Sequence, residues 1–513
     1  MKRNNIIRSV LFVSTIILGV SCTNLDEEIL DGKDSTNSIE TKGVLQSAYE
    51  GLRNFQGQGQ MFTMEEMSTD ALVGPTRGGD WDDNGKWRAF HTHEWDATNT
   101  EIRDAWNSLL VPIYNCNLVI ENGTAAEILQ ARFLRAFYYF NVIDLFGQAP
   151  YREINSSLQD FPKVYTRTEA TAFVISELEA ILPSLAARTA NDPSIANKDA
   201  AHFLLAKLYL NKGVYEAATP AGPYTFAAAD MTKVVQNVDA ISSSLSPNYW
   251  SNFAPDNNTS PELLFTSKNV VGTGGGIQSR WRMGMHYNQS PSGWNGFTTL
   301  AEYYAKFDPT DPRIKYSTTE IIENFGNPVG LQQGQMRNGK DRDAKGAEAK
   351  GTLANTLDLQ DRTGKPLFYT TAITLFVEGA VLETAGVRGM KYIPDVNNIE
   401  APNNDYVFMR YSDALLMKAE AVLRGGTGSV GAIMTDIAAR TGKPASPATL
   451  DGVYLERGKE LWWEGWRRND MIRFGKFLGP RELKTKTSDP KYLLYPLPVN
   501  VLYNPNIKQN PGY

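Results

Sequence analysis

The 513 residues carry 57 Asp and Glu against 51 Lys and Arg, a net charge of −6 with a pI near 5.5, which leaves no basic excess to neutralise phosphates and gives nucleic acid binding no support. Two cysteines exclude a disulfide framework, so a body of roughly 490 residues must be stabilised by burial. Aromatic side chains make up 11% of the chain, enough for a core with rings to spare for a recognition surface.

The chain opens with Lys2, Arg3 and the apolar run VLFVSTIILGV at 10–20, a secretory leader too short to span a bilayer as a helix. Its ending, LGVSC, resembles a bacterial lipobox, in which the leader (1–21) is cut before Cys22 and that cysteine is lipidated. An ordinary leader with a stray cysteine is the alternative. Residues 22–38, polar and acidic at Asp26, Glu27 and Glu28, read as a flexible tether. No later segment reaches 18 uninterrupted apolar residues, so the body is expected to be soluble and lipid-tethered.

From about Ile39 to Phe55 the spacing of Val44, Ala48 and Leu52 predicts an amphipathic helix. Residues 75–95, PTRGGDWDDNGKWRAFHTHEW, place Trp81, Trp87 and Trp95 among glycines, charges and amides, which predicts a loop. Rings in such a loop are either pinned onto the domain surface or offered to a ligand. The alternating HTHEW assigns Trp95 to a strand's packed face. Two long helices follow within 98–147, the first interrupted or kinked near Pro112 and the second apolar nearly all round between Phe133 and Phe146. Cys116, in an apolar stretch, reads as a buried, inert thiol.

Another helix pair is predicted at 167–185 and 198–218, and further helices at 405–426 and about 454–474. Small residues at their contact positions point to tetratricopeptide-like units. Between Pro220 and Asn404 the composition turns to Gly, Asn, Asp and Pro with short apolar runs such as ELLFTSK and RGMKYIPD. This reads as a loop-rich, partly β subdomain. The fold class is mainly α, with helix pairs supporting that subdomain. The boundaries are 39–219 for the N-terminal helical part with the 75–95 loop, 220–404 for the loop-rich subdomain, and 405–513 for the C-terminal helical part and extended tail.

Residues 280–300, RWRMGMHYNQSPSGWNGFTTL, form a second glycine-rich aromatic stretch and the natural partner of the first. Sugars present CH faces and fixed hydroxyls, so a glycan site needs aromatic platforms beside planar polar groups. The two stretches offer Asp70, Arg77, Asp80, Trp81, Asn84, Trp87, Tyr287, Asn288 and Trp294 for that role; an aromatic core under two loops would have the same composition. Asp80, Asp82, Asn84 and Gly85 begin like a calcium loop, but His91 stands where the bidentate glutamate belongs. His91 and His93 lack a third ligand, so packing or surface roles are favoured and no metal site is assigned. HExxH, G-x-S-x-G and the P-loop are all missing, and nothing calls for a cofactor. Glu460 and Glu464, the tempting carboxylate pair, have Arg467 and Arg468 one turn on and read as a salt-bridged helix face.

Three C-terminal stretches, RYSDALLMKAEAV (410–422), ERGKELWWEGWRRNDMIRFG (456–475) and LYPLPVNVLYNPNIKQNPGY (494–513), resemble the SusD/RagB family of surface glycan-binding lipoproteins of Bacteroidetes. LRAFYYFNVIDLFGQAPY (134–151), HYNQSPSGWNGFTTL (286–300) and the lipobox at Cys22 agree with it. The resemblance implies a SusD-like fold of four tetratricopeptide-like helix pairs, no enzymatic activity, and a lipid-anchored protein on the outer face of the outer membrane. It also implies a TonB-dependent, SusC-like transporter as partner, to which a captured oligosaccharide is delivered. The acidic residues after Cys22 resemble the surface-export signal of such lipoproteins. The alternatives are a surface glycoside hydrolase or lyase, and an assembly scaffold with no ligand of its own.

Overall fold

A computed structural model describes residues 40–157, 159–273, 276–339 and 357–513; the leader, Cys22 and the tether lie outside the described residues. The chain is mainly helical, 44% helix against 11% strand, as the periodicity required.

The first helix, α1 (Thr41–Glu50), buries Leu45 and Ala48 and tightens into a 3₁₀ turn, Gly51–Phe55, that buries Leu52. A π-helical turn, Thr63–Met67, then carries two buried acids, Glu65 and Glu66, and leads into β1 (Thr76–Arg77). The loop expected at 75–95 contains a helix, α2 (Lys86–Thr92), whose cap His93 adopts φ 59°. The HTHEW segment is therefore a helix end and a left-handed cap, not a strand. Trp95 is packed as expected, against Tyr495 and Tyr492 with ring centroids 4.7 and 4.9 Å away, and its Nε1 donates to Tyr513.

Helix α3 (Thr100–Asn122) runs unbroken through Pro112 and buries Cys116, whose thiol burial pushes up to about 12. Helix α4 (Ala125–Phe146) starts on a capping box of Thr124 and Glu127, and from Phe133 to Phe146 every side chain except Asn141 is buried. After the hairpin β2 (Gln148–Tyr151) and β3 (Lys163–Thr166), a second capping box starts α5 (Arg167–Ile181), followed by α6 (Lys198–Tyr215). Helix α7 (Ala228–Asp239) lies inside the stretch expected to be loop-rich; its apolar residues Met231, Val234, Val235 and Val238 recur at helical spacing among polar neighbours. Each helix from α3 to α7 packs on the next.

The rest of that stretch is loops with brief helical turns at Ser279–Arg282, Ala301–Tyr304 and Thr319–Phe325 and the short strands β4 (Leu263–Ser267), β5 (Lys315–Tyr316), β6 (Val329–Gln332), β7 (Gly334–Gln335), β8 (Phe368–Tyr369), β9 (Phe376–Val377) and β10 (Arg388–Met390). Strand β9 pairs parallel with β1, and β10, β6 and β5 form a three-stranded sheet. At 405–426 the expected helix is preceded by a strand: β11 (Tyr406–Arg410), fully buried and paired with β4, holds Phe408, and α8 (Tyr411–Leu423) begins after it.

Helix α8 packs on α7, α9 (Val430–Ala439) and α10 (Leu450–Glu460). The single helix expected at 454–474 is two, α10 and α11 (Arg467–Arg473), broken where Trp463 and Gly465 take φ 59° and 82°. Glu460 and Glu464 are charge-paired, though not with the arginines one turn on. Buried Glu460 meets Arg410, Arg313 and Arg440, while Glu464 meets Arg410 and Lys391. Arg467 and Arg468 instead reach Asp70 and Asp144.

Candidate functional site

The two aromatic stretches meet. Val73 and Thr298 exchange backbone hydrogen bonds, and Arg77 and Asp80 close a two-glycine turn that leaves Trp81 at φ 59°. The ring of Trp81 lies 4.9 Å from Phe297, 6.1 Å from Trp87 and 6.4 Å from Trp294, and its Nε1 donates to the Trp294 carbonyl at 3.1 Å. Gly296 makes this approach possible: a Cβ there would fall 2.6 Å from the indole of Trp81. Trp81 and Trp294 remain half-buried with planes inclined at 40°, over a floor of buried Phe297 and Trp87.

Trp87 belongs to that floor. It is 4% exposed, its Nε1 donates to Asp83 at 2.6 Å, and it meets Phe297 edge-on. Arg77 is likewise internal: its guanidinium donates to the carbonyls of Gly296, Leu382 and Ala385 and so ties three segments together beneath the rings. Burial, and then neighbouring Arg388, lowers its pKa. Asp70 is buried in a two-pronged pair with Arg467, at 2.7 and 2.8 Å; against the burial that would raise it, that guanidinium holds the carboxyl well below its usual range.

The remaining candidates stay at the surface. Exposed Asp80 accepts from the Tyr287 hydroxyl at 3.4 Å, and Asn288 donates to the carbonyl of Gln360 at 2.8 Å. Asn84, at φ 57°, lines a polar hollow of about 450 Å³ with Asp83, Glu94 and Asp96 that Trp81 and Trp294 do not border. Asp82, from the calcium-like spacing, pairs with Arg88 at 2.7 Å. His91 and His93 are buried, each with Nε2 on a backbone carbonyl, of Glu482 and Ser68. Burial holds His91 neutral, with a pKa of about 3.

A third segment, 358–390, completes the surface and carried no recognisable signal in the sequence. Phe376, 59% exposed on β9, lies beneath the guanidinium of Arg88 at 4.2 Å. Arg362 lies 4.4 Å from the centroid of the Tyr287 ring and pairs with Glu383. Phe376 sits in the apolar run ITLFV, where a surface ring and a core ring look alike. The rim charges are largely matched as Asp82 with Arg88 and Glu383 with Arg362, so the surface combines angled apolar rings with near-neutral polar edges.

Comparison with known proteins identifies the family and the fold. The SusD family model matches residues 236–513. The starch-binding protein SusD of Bacteroides thetaiotaomicron is 25% identical, with 98% of each chain covered. Among solved structures, a SusD superfamily protein from Parabacteroides distasonis has the same fold with a TM-score of 0.67 at 19% identity, covering 92% of this chain and 98% of its own. Surface glycan-binding protein A of B. thetaiotaomicron, solved with laminarihexaose, superposes with a TM-score of 0.64 at 19% identity over the same shares.

Proposed function

The chain belongs to the SusD family, whose binding proteins are non-catalytic, and from that premise we propose that it captures a neutral oligosaccharide on Trp81, Trp294 and Tyr287. The observation that carries the reading is the pair of half-buried indoles, inclined at 40° and locked by the hydrogen bond from Trp81 to the Trp294 carbonyl. Each can take one CH face of a sugar while Asp80 and Asn288 meet hydroxyls at the edge. A stacked ring contributes roughly 1–3 kcal/mol, so two or three give millimolar to micromolar binding, suited to cargo that must be released. The starch and laminarin ligands named for the relatives make glucans the first class to test.

Delivery to a TonB-dependent, SusC-like transporter, anchorage through Cys22 in the outer membrane, and the division at 219 and 404 belong to the same proposal. They rest on the family and the leader sequence. Calorimetry with laminarihexaose, a starch-derived hexasaccharide and a panel of other neutral glycans tests the binding reading. At least one should bind, and Trp81→Ala should lower its affinity tenfold or more. Binding that survives Trp81→Ala unchanged places the sugar elsewhere.

A further inference from the structure

Of the three platform rings, Tyr287 carries a cation on its face. The Arg362 guanidinium lies 4.4 Å from its centroid, while His286 meets it edge-on with centroids 5.3 Å apart. The surroundings that hold Arg362 there do not depend on its side chain. Buried Glu383 accepts from His286 Nε2 at 2.8 Å and from the backbone N–H of Arg362 at 2.9 Å, in addition to the Arg362 side chain. His286 Nδ1 accepts the N–H of Asn288 at 3.0 Å, so the imidazole proton sits on Nε2, facing Glu383. The carboxylate therefore keeps two donors if the Arg362 side chain leaves.

That side chain is held lightly. It is 49% exposed, so its ion pair is screened by water and salt, and a cation over a partly exposed ring is attracted only weakly. Trp81 and Trp294 carry no such cover among the described contacts, and they are locked to each other rather than to a movable cation.

We propose that Arg362 is a latch on Tyr287: it covers this ring in the free protein, and an oligosaccharide already stacked on Trp81 and Trp294 displaces it and takes the ring's face. The inference rests on the reading of the platform as the glycan site. It makes Tyr287 a length-sensitive subsite. A short ligand that stops at the two tryptophans never meets the latch, whereas a longer one must move it, so the latch lowers the affinity of long ligands only.

Hydroxyl-radical footprinting read by mass spectrometry tests the cover without any ligand, and calorimetry tests its consequence. In Arg362→Ala the oxidation rate of Tyr287 should rise about twofold or more. Affinity for laminarihexaose, or for the starch-derived hexasaccharide, should rise about threefold to tenfold, and affinity for the matching disaccharide should not change. In a Tyr287→Ala background, Arg362→Ala should have no further effect on the hexasaccharide. An unchanged footprint overturns the latch whatever the glycans do. A raised footprint with weaker hexasaccharide binding makes Arg362 a ligand contact and overturns it equally. If no glycan binds wild type or variant, the platform reading fails, and the footprint separately reports whether the ring was covered.

Discussion

Two stretches with nearly the same composition meet opposite fates. DWDDNGKW (80–87) and ELWWEGWRR (460–468) both set tryptophans among charges and glycine, and each holds one tryptophan at φ 59° laid against a distant glycine. Trp81 lies against Gly296, and Trp463 against Gly389, where a Cβ would come within 2.2 Å of the ring. The first stretch pairs Asp82 with Arg88 and Lys86 with Glu101, its Asp83 accepts from Trp87 Nε1, and it keeps Trp81 partly open. The second receives Arg410, Lys391 and Arg313 from far along the chain and is buried throughout its tryptophans. Distant partners reach both tryptophans, but only around the second do charged side chains from far along the chain complete the burial, while Trp81 stays partly open.

The sharpest way to break this contrast is to remove the charge that gathers the second stretch. Arg410 pairs with Glu262, Glu460 and Glu464, all buried, and donates to the Glu460 carbonyl. Arg410→Met leaves those carboxylates short of a partner in a low-dielectric interior, a loss of about 3–5 kcal/mol. Urea unfolding should show a drop of that size, while the fraction still folded keeps its glycan affinity. A loss below about 1 kcal/mol would mean that the network is not what buries the stretch.

The helices and the family were legible because both are written in local pattern. Capping boxes at Thr124 and Thr166 and the all-round apolar face of α4 need no distant information. The pairing of residues 75–95 with 280–300 was legible too, since each stretch carried rings without a core of its own. What stayed hidden depends on partners hundreds of positions away. Asp70 and Arg77 have the chemistry of sugar ligands, but Arg467 and three backbone carbonyls engage them. Arg362 and Phe376 lie in segments with no local mark. The break between α10 and α11 follows from Trp463 and Gly465 adopting positive φ inside an otherwise helical pattern.

Glu66 ties the second stretch to the π-helical turn, because its carboxyl accepts the backbone N–H of Gly465 at 2.7 Å. Burial pushes its pKa up to about 8, outweighing that hydrogen bond and the nearby arginines and lysine. Below pH 4.5 the group is protonated in both folded and unfolded chains. Between about 4.5 and 8 the folded chain keeps a proton that the unfolded chain has released, so stability falls as pH rises and levels off above 8. Glu66→Gln removes this dependence. Its melting temperature relative to wild type should be nearly level at pH 5 and should climb toward pH 8, where the gain reaches a few kcal/mol. A difference that is flat from pH 5 to 8 would show that Glu66 does not titrate in this window.

Trp294→Ala sharpens the comparison from the other side and should cost the fold least. Its backbone N–H donates to Arg282 and its carbonyl accepts from Trp81 Nε1, and both bonds survive truncation. The half-buried side chain meets Trp81 at 6.4 Å over a floor already sealed by Phe297 and Trp87, so the stability loss should stay within about 1 kcal/mol. Glycan affinity should nonetheless fall by roughly 1–3 kcal/mol, about five-fold to 150-fold by calorimetry. A ring in the buried stretch has no such split, because its packing is its only role. Equal losses of stability and binding in Trp294→Ala would therefore place Trp294 with the core tryptophans and leave Trp81 and Tyr287 to hold the sugar alone.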